Sequence, residues 1–308
     1  MKAIDLFAGA GGFTEGARLA GVPVRWAANH NRLAVEYHAR NHPEVEHAVQ
    51  DLHQADFRHL VGGCDLILAS PSCRGHAECG QPGRKADRSG RVAMRHDADR
   101  NTAWAVVTAA EVIRPRALIV ENTIPFTRWI LFRPWLAALE ALGYEARIHK
   151  LWAHDFGVPQ RRHRVVVTAF LGAHPELAFE RSPAPPVRTI LEPCAGGWAP
   201  VASKPIGVRR RVARGRKRHG RTFLVQHVTS CSGVPLDGHM RTITTVGSHW
   251  HLVEGDRIRP LTVRELARGQ GFGDHYKLPR ALSPGTRLVG NAIPPPLAAA
   301  VIRAVARA

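Results

Sequence analysis

Short apolar runs alternate with amphipathic stretches along the first 170 residues. AIDLF (3–7) reads as a strand and TEGARLAGV (14–22) as a helix; PVRWAAN (23–29) and RLAVEYHARNHP (32–43) repeat the pair. CDLILAS (64–70) is a third strand, NTAWAVVTAAEVIRP (101–115) a helix and RALIVEN (116–122) a fourth strand. WLAALEALGY (135–144) is helical, and YEARIHKLWA (144–153) and RRHRVVVTAFL (161–171) are two further strands. Strand–helix alternation of this kind predicts an α/β domain, a mostly parallel twisted sheet with helices on both faces. Such sheets hold ligands beyond the carboxyl ends of their strands.

The pattern breaks near residue 181. Residues 182–205 are rich in Pro, Gly and small side chains and read as linker and loop. VRRRVARGRKRHGR (208–221) follows, and its like charge in a weakly patterned region suits a nucleic-acid contact surface. A helical pattern returns in LTVRELARGQGF (261–272), and the chain closes on GNAIPPPLAAAVIRAVARA (290–308), which predicts a Pro-initiated apolar helix.

Composition sharpens this reading. The 308 residues include 43 Lys and Arg against 25 Asp and Glu, a formal net charge of +18. A compact chain so basic points to a polyanionic partner. No run of 18 apolar residues occurs and no basic-then-apolar leader precedes MKAIDLF, so a soluble, cytoplasmic (nucleoid-associated) protein with no membrane partner is expected. The five cysteines are odd in number and include no CxxC pair, which argues against a disulfide framework and against a zinc site of usual spacing; no metal is expected.

Several strand ends carry candidate chemistry. DLFAGAGGF (5–13) joins the first strand to the first helix, where glycines admit a ligand close to the backbone and a helix N-terminus offers N–H groups. Asp51, in VQDLH, suits an adenine amino group or a plain helix cap. Cys73, in SPSCRGHAECG (70–80), follows the third strand, and read alone it suits a nucleophile or a buried filler, whereas a metal site with His76 and Cys79 lacks a fourth ligand at usual spacing. Glu121 and Asn122 end the fourth strand, facing the crevice expected to hold Cys73. Gln160, Arg162 and Arg164 recur at every second position, which on one strand places three polar groups on one face.

Taken in order, these segments resemble the cytosine-5 DNA methyltransferases, over nearly the whole chain. DLFAGAGGF resembles the cofactor loop, PSC the Pro-Pro-Cys loop, ENT the Glu-Asn-Val motif, QRRHR the Gln-x-Arg-x-Arg motif, RPLTVRELARGQGF the helix supporting the recognition domain, and GNAIPP the closing Gly-Asn-x-x-Pro-Pro motif. The resemblance implies a Rossmann-like methyltransferase fold in three parts: a catalytic domain over 1–170, a small target-recognition domain over 171–283 and a returning segment over 284–308. S-adenosylmethionine would lie against Phe7, Ala8, Gly9, Ala10, Gly11 and Gly12, with His30, Asp51, Leu52, Asn291 and Ala292 completing its pocket. Cys73, Glu121, Arg162 and Arg164 would be catalytic. Ser72, Arg74, Asn122, Gln160, Thr242 and Ile243 would contact the substrate, a flipped cytosine in a short sequence of double-stranded DNA.

The chain departs from the family's usual text in two places: Ser72 stands where Pro is usual, and His30 where an acidic residue binds the cofactor ribose. Arg74 and His76 beside the thiol leave open transfer of an anionic alkyl group, and the basic charge leaves open an RNA substrate on the same fold. A monomer of bacterial or viral origin is expected, partnered in some hosts by a cognate restriction enzyme.

Overall fold

The computed structural model describes residues 1–72, 101–228, 231–245 and 249–308. It divides into two compact units: Met1–Trp152 with His163–Glu180 and Ala298–Ala308, and Ala153–Arg162 with Arg181–Leu297.

The first unit is built on a seven-stranded sheet. Its strands are β1 (Ala3–Leu6), β2 (Val24–Asn29), β3 (Glu46–Val49), β4 (Leu66–Ala69), β5 (Ala117–Thr123), β6 (Tyr144–Trp152) and β8 (His163–Leu171), in the order β3-β2-β1-β4-β5-β8-β6. Strands β1 to β5 pair in parallel, and β8 runs antiparallel between β5 and β6. LILA in β4 and ALIV in β5 are buried at every position, as expected of parallel strands covered on both faces. Helices α1 (Gly12–Ala20), α2 (Arg32–Asn41), α3 (Trp104–Ile113) and α4 (Phe132–Ala141) provide that cover. Phe126, Trp129, Phe132 and Trp135 pack edge-on or stacked beside α4. The Trp135 indole N–H, otherwise stranded in the core, donates to the Ala103 carbonyl at 2.9 Å.

Strand β3 was not visible in the sequence. EHAV lies at the sheet edge, and its pairing with β2 supplies backbone bonds rather than an apolar stripe. Residues 171–180, assigned to the recognition domain from the sequence, fall in the first unit. The His174 N–H donates to Glu145 at 3.1 Å, its ring meets Thr168 at 2.8 Å, and Glu180 pairs with Arg307 of the last helix.

The second unit contains the five-stranded antiparallel sheet β11-β10-β13-β14-β9, formed by Val234–Pro235, Thr222–Gln226, Trp250–Glu254, Arg257–Pro260 and Ala199–Pro200. A two-residue strand β7 (Gln160–Arg161) pairs in parallel with β12 (Met240–Arg241). The basic run forms helix α5 (Ile206–His219). Val212 and Gly215 are its buried positions, Phe223 of β10 lies against Gly215, and four basic residues of its last turn meet the negative end of the helix dipole. Helix α6 (Val263–Gly269) opens with a capping box: the Thr262 hydroxyl accepts from Glu265 N, and Glu265 accepts from Thr262 N. Arg259 donates to both Glu265 oxygens at 2.6 and 2.7 Å, closing a buried ion pair.

The final helices are α7 (Leu282–Asn291) and α8 (Pro295–Arg307). Together they are long and apolar enough to cross a membrane by length and composition, but 83% of their most apolar window is buried inside the protein. A Cβ at Gly290 of α7 would lie 2.4 Å from the Thr244 carbonyl oxygen, and backbone cannot swing away as a side chain does. Gly290→Ala is therefore expected to lower stability by about 1–3 kcal/mol, the usual cost of overpacking; the thermal unfolding midpoint measures it.

Candidate active site

The parallel strands bring their carboxyl ends to one edge of the first unit. Leu6 is in register with Ala28 and with Ala69, Ala69 with Val120, and Asn29 with Val49. The segments leaving these strands carry, across the sheet, Asp51, His30, residues 7–12, residues 70–72 and Glu121. Arg164 joins them because β8 runs the other way, pairing its first residues with the last of β5 (Thr123↔Arg164).

The loop after β1 turns sharply, with φ of +61° at Phe7, +56° at Gly9 and +87° at Gly11. Glycine takes such angles without strain, whereas a bulky Phe does so only where the surroundings demand it. Helix α1 then starts with no side chain capping its N-terminus among the described residues. Uncapped helix amides and closely turned backbone fit a carboxylate-bearing nucleoside such as S-adenosylmethionine, which needs N–H donors and room against the main chain. Leu52 is buried, while His30 and Asp51 are exposed and open to a ligand. Asp51 also caps a short helical turn by accepting from His53 N at 3.1 Å, so the capping role weighed from the sequence is present.

Glu121 sits deeper, 5% exposed. Arg164 Nε approaches its Oε1 at 2.8 Å and the Ser70 hydroxyl donates to Oε2 at 3.3 Å. A buried carboxylate demands such partners. The Arg164 Nη1 donates to the His163 carbonyl at 2.8 Å, which fixes the guanidinium beside the acid. Asn122, next along the strand, donates to the Pro71 carbonyl at 3.1 Å, and the Ser72 N–H donates to the Thr102 hydroxyl at 2.9 Å. The chain leading to Cys73 is thus tied to β5 on one side and to the segment before α3 on the other. Cys73 and Arg74 themselves, with His76 and Cys79, lie outside the described residues. Ser70 and Thr102 were missed in the sequence; the signal for Ser70 was its place immediately after a buried strand.

The remaining residues gather in the second unit. The expectation that Gln160, Arg162 and Arg164 share one strand face is not met. The strand breaks at Arg162: β7 pairs with β12, β8 with β5 and β6, and the Arg162 backbone turns between them, donating to Gln160 O and accepting from Ala153 N. The Arg162 side chain, 2% exposed, donates to the carbonyls of Ile243 at 3.1 Å, Gly290 at 2.8 Å and Ala292 at 3.1 Å. Gln160, fully buried, donates to the Gly269 carbonyl and to Gln270 Oε1 and accepts from Ile243 N. Thr242 donates to the Arg161 carbonyl at 3.3 Å, and Gln270 donates to the Ala292 carbonyl. One fork and one amide thus knit the TI segment, the end of α6 and the GNA segment together. Asn291 is exposed beside this knot.

A mostly parallel sheet with an antiparallel strand inserted before its last member, and a polar cluster at its carboxyl edge, defines a Rossmann-like methyltransferase fold. The C-5 cytosine-specific DNA methylase family model matches residues 1–190 and 199–307, and the chain belongs to that family. The chain is 28% identical to the Type II methyltransferase M.NlaX of Neisseria lactamica over 99% of its own length and 95% of that protein. It is 31% identical to the Type II methyltransferase M.AgeI of Thalassovita gelatinovora over 54% of this chain, a match that spans 39% of that relative. In fold it is similar to a DNA modification methyltransferase encoded within an E. coli prophage, with TM-score 0.74, 18% identity and coverage of 100% and 99% of the two chains. It is also similar to the Dnmt2 methyltransferase of S. pombe, with TM-score 0.68, 19% identity and coverage of 98% and 97%.

The two arginines should separate by experiment. A lysine ammonium cannot span the three carbonyls that Arg162 serves, so Arg162→Lys is expected to cost about 2 kcal/mol through unpaired buried acceptors. Arg164→Lys keeps a cation beside Glu121 and should affect turnover more than the unfolding midpoint. Thermal unfolding run beside a methyl-transfer assay checks both.

Proposed function

We propose that this enzyme methylates carbon 5 of a flipped-out cytosine in a short DNA sequence through a covalent Cys73 adduct. The observation that carries the reading is the buried Glu121–Arg164–Ser70 cluster at the carboxyl edge of the sheet, beside the anchored segment that leads into Cys73.

The residues divide the work as follows. Residues 7–12, with His30, Asp51 and Leu52, hold the cofactor. S-adenosylmethionine supplies an electrophilic methyl group on a sulfonium. Extrusion of the base costs a few kcal/mol of stacking and pairing, offset by contacts to the flipped ring, among which we count Ser72, Arg74 and Asn122. The Cys73 thiolate adds to carbon 6 of the cytosine, and the positive charge of Arg74, next in the sequence, favours the thiolate form. Glu121 accepts from the exocyclic amine and, in its protonated form, donates to the ring nitrogen, so the negative charge pushed into the ring by the attack is neutralised as that proton passes across. Arg164 holds Glu121 in place. Carbon 5, made nucleophilic, accepts the methyl group; loss of its proton then restores the double bond and expels Cys73. Covalent addition splits one difficult substitution into two easier steps. Arg162, Gln160 and Ile243 serve by holding the second unit's segments in register.

The second unit is proposed to read the target. Arg209, Arg210 and Lys217 of α5 are exposed and suit phosphate contacts, which set affinity and register without reading sequence.

Cys73→Ala should abolish methyl transfer and the covalent complex with 5-fluorocytosine DNA, while unchanged signals would show that the nucleophile lies elsewhere. Mass spectrometry of nucleosides from treated duplex DNA and tRNA identifies the product: 5-methylcytosine in DNA is expected, label in tRNA alone would replace DNA by RNA as substrate, and a heavier cytosine adduct would mean a larger transferred group. If Arg209 and Arg210 each contact a phosphate, Arg209→Gln with Arg210→Gln should reduce the slope of log K against log salt by about 2, measured by anisotropy titrations across salt.

A further inference from the structure

The first unit buries a polar chain that methyl transfer does not use. It starts at Asp5, the last-but-one residue of β1, immediately before the loop proposed to hold the cofactor, and fully buried. Asp5 Oδ2 lies 2.8 Å from Thr14 Oγ1 on α1; Thr14 Oγ1 lies 3.0 Å from His38 Nε2 on α2; and His38 Nδ1 lies 2.7 Å from His47 Nε2 on β3. His38 is 1% exposed, whereas His47 is half-buried on the edge strand. Three consecutive hydrogen bonds therefore lead from a sealed carboxyl to the molecular surface.

Donor counting restricts this chain to two arrangements. Thr14 has one hydroxyl proton, and each neutral imidazole has one N–H. With Asp5 ionised, Thr14 must donate to Asp5, His38 Nε2–H to Thr14, and His47 Nε2–H to His38 Nδ1. With Asp5 protonated on Oδ2, every bond reverses: Asp5 donates to Thr14, Thr14 to His38 Nε2, and His38 Nδ1–H to His47 Nε2, leaving the His47 proton on Nδ1. The arrangements differ by one proton, taken up from water at His47 Nδ1 and delivered to Asp5 as each bridging proton shifts one place. No ring carries a net charge at either end of the process.

We infer that Asp5, Thr14, His38 and His47 form a proton relay through which a buried carboxyl of the cofactor loop exchanges its proton with solvent, and that the positive charge of the bound cofactor drives that proton out. The second half of the inference rests on the reading that residues 7–12 bind a sulfonium. Burial pushes the Asp5 carboxyl up to about 7, so both arrangements are populated at neutral pH. Hydrogen bonds from the Thr14 side chain and backbone oppose that rise, while Oδ1 has no hydrogen-bond partner among the described residues. Burial holds His38, His42 and His47 below the ordinary imidazole range, which keeps the rings neutral. The groups facing the relay are of both signs. Glu15 and Arg18 of α1 form an ion pair at 2.8 Å, His42 of α2 lies 5.0 Å ring to ring from His38 and 3.8 Å from Glu44, and the Val45 carbonyl accepts from the His47 ring. Burial itself favours the arrangement with Asp5 protonated. An incoming cation opposes it, and the balance tips.

Nitrogen-15 NMR of the free, histidine-labelled protein tests the relay. His38 and His47 are expected to exchange Nδ1–H for Nε2–H, still neutral, as pH rises through about 7. Asp5→Asn should remove this exchange. Thr14→Val should fix each ring in one tautomer, and it serves should Asp5→Asn not fold. Rings that keep one tautomer across this range in the wild type, or that exchange unaltered in either variant, would overturn the relay. Calorimetry in two buffers of different ionisation enthalpy tests the coupling. At pH 7, S-adenosylmethionine should release about half a proton on binding. Its neutral thioether product should release close to none, as should S-adenosylmethionine with Asp5→Asn. Equal release from both ligands would overturn the coupling. Tautomer exchange in a protein that binds neither nucleoside would uphold the relay and overturn the assignment of residues 7–12.

Discussion

Burying Glu121 is the constraint from which the catalytic edge follows. A carboxylate removed from water needs a cation and a donor close by, and both must come from strands whose register leaves no slack. Arg164 reaches it because β8 runs antiparallel to β5, so the first residues of one strand lie beside the last of the other. Ser70 reaches it because it follows Ala69, the last residue of β4, whose partner Val120 immediately precedes Glu121. With the acid fixed, Asn122 projects onto the Pro71 carbonyl and anchors the segment entering Cys73. Had the sheet been wholly parallel, Arg164 would have left it at the opposite edge.

Much of this frame was legible in the sequence. β1, β2, β4 and β5 announced themselves as short apolar runs, and LTVRELARGQGF as the helical stretch that contains α6. Strand β3 was invisible because EHAV is half polar and owes its place to a neighbour's backbone. The helicity of 206–219 was masked by its charge: seven cations obscure a pattern whose buried positions are only Val212 and Gly215.

The site was legible unevenly, for a physical reason. Glu121 and Arg164 bond each other through side chains, and strand ends with charged residues can be recognised in a sequence. Arg162 and Gln160 bond mostly to backbone atoms of residues distant in sequence, and a carbonyl leaves no trace in the residue type that carries it. Hence the two arginines looked equivalent at a spacing of two and proved to belong to different networks. The Thr14–His38–His47 chain was hidden likewise, since its intervals match no helical or strand period and only folding brings it together.

The second unit contributes no strand to the seven-stranded sheet, although most of it is inserted between the last strand of that sheet and the helix that closes the first unit. Every strand pairing beneath Glu121 is made by residues of the first unit, and none among the described residues by residues 181–297. Such an architecture separates the scaffold from its insertion: a longer loop in the second unit adds chain without breaking a backbone bond of the seven-stranded sheet.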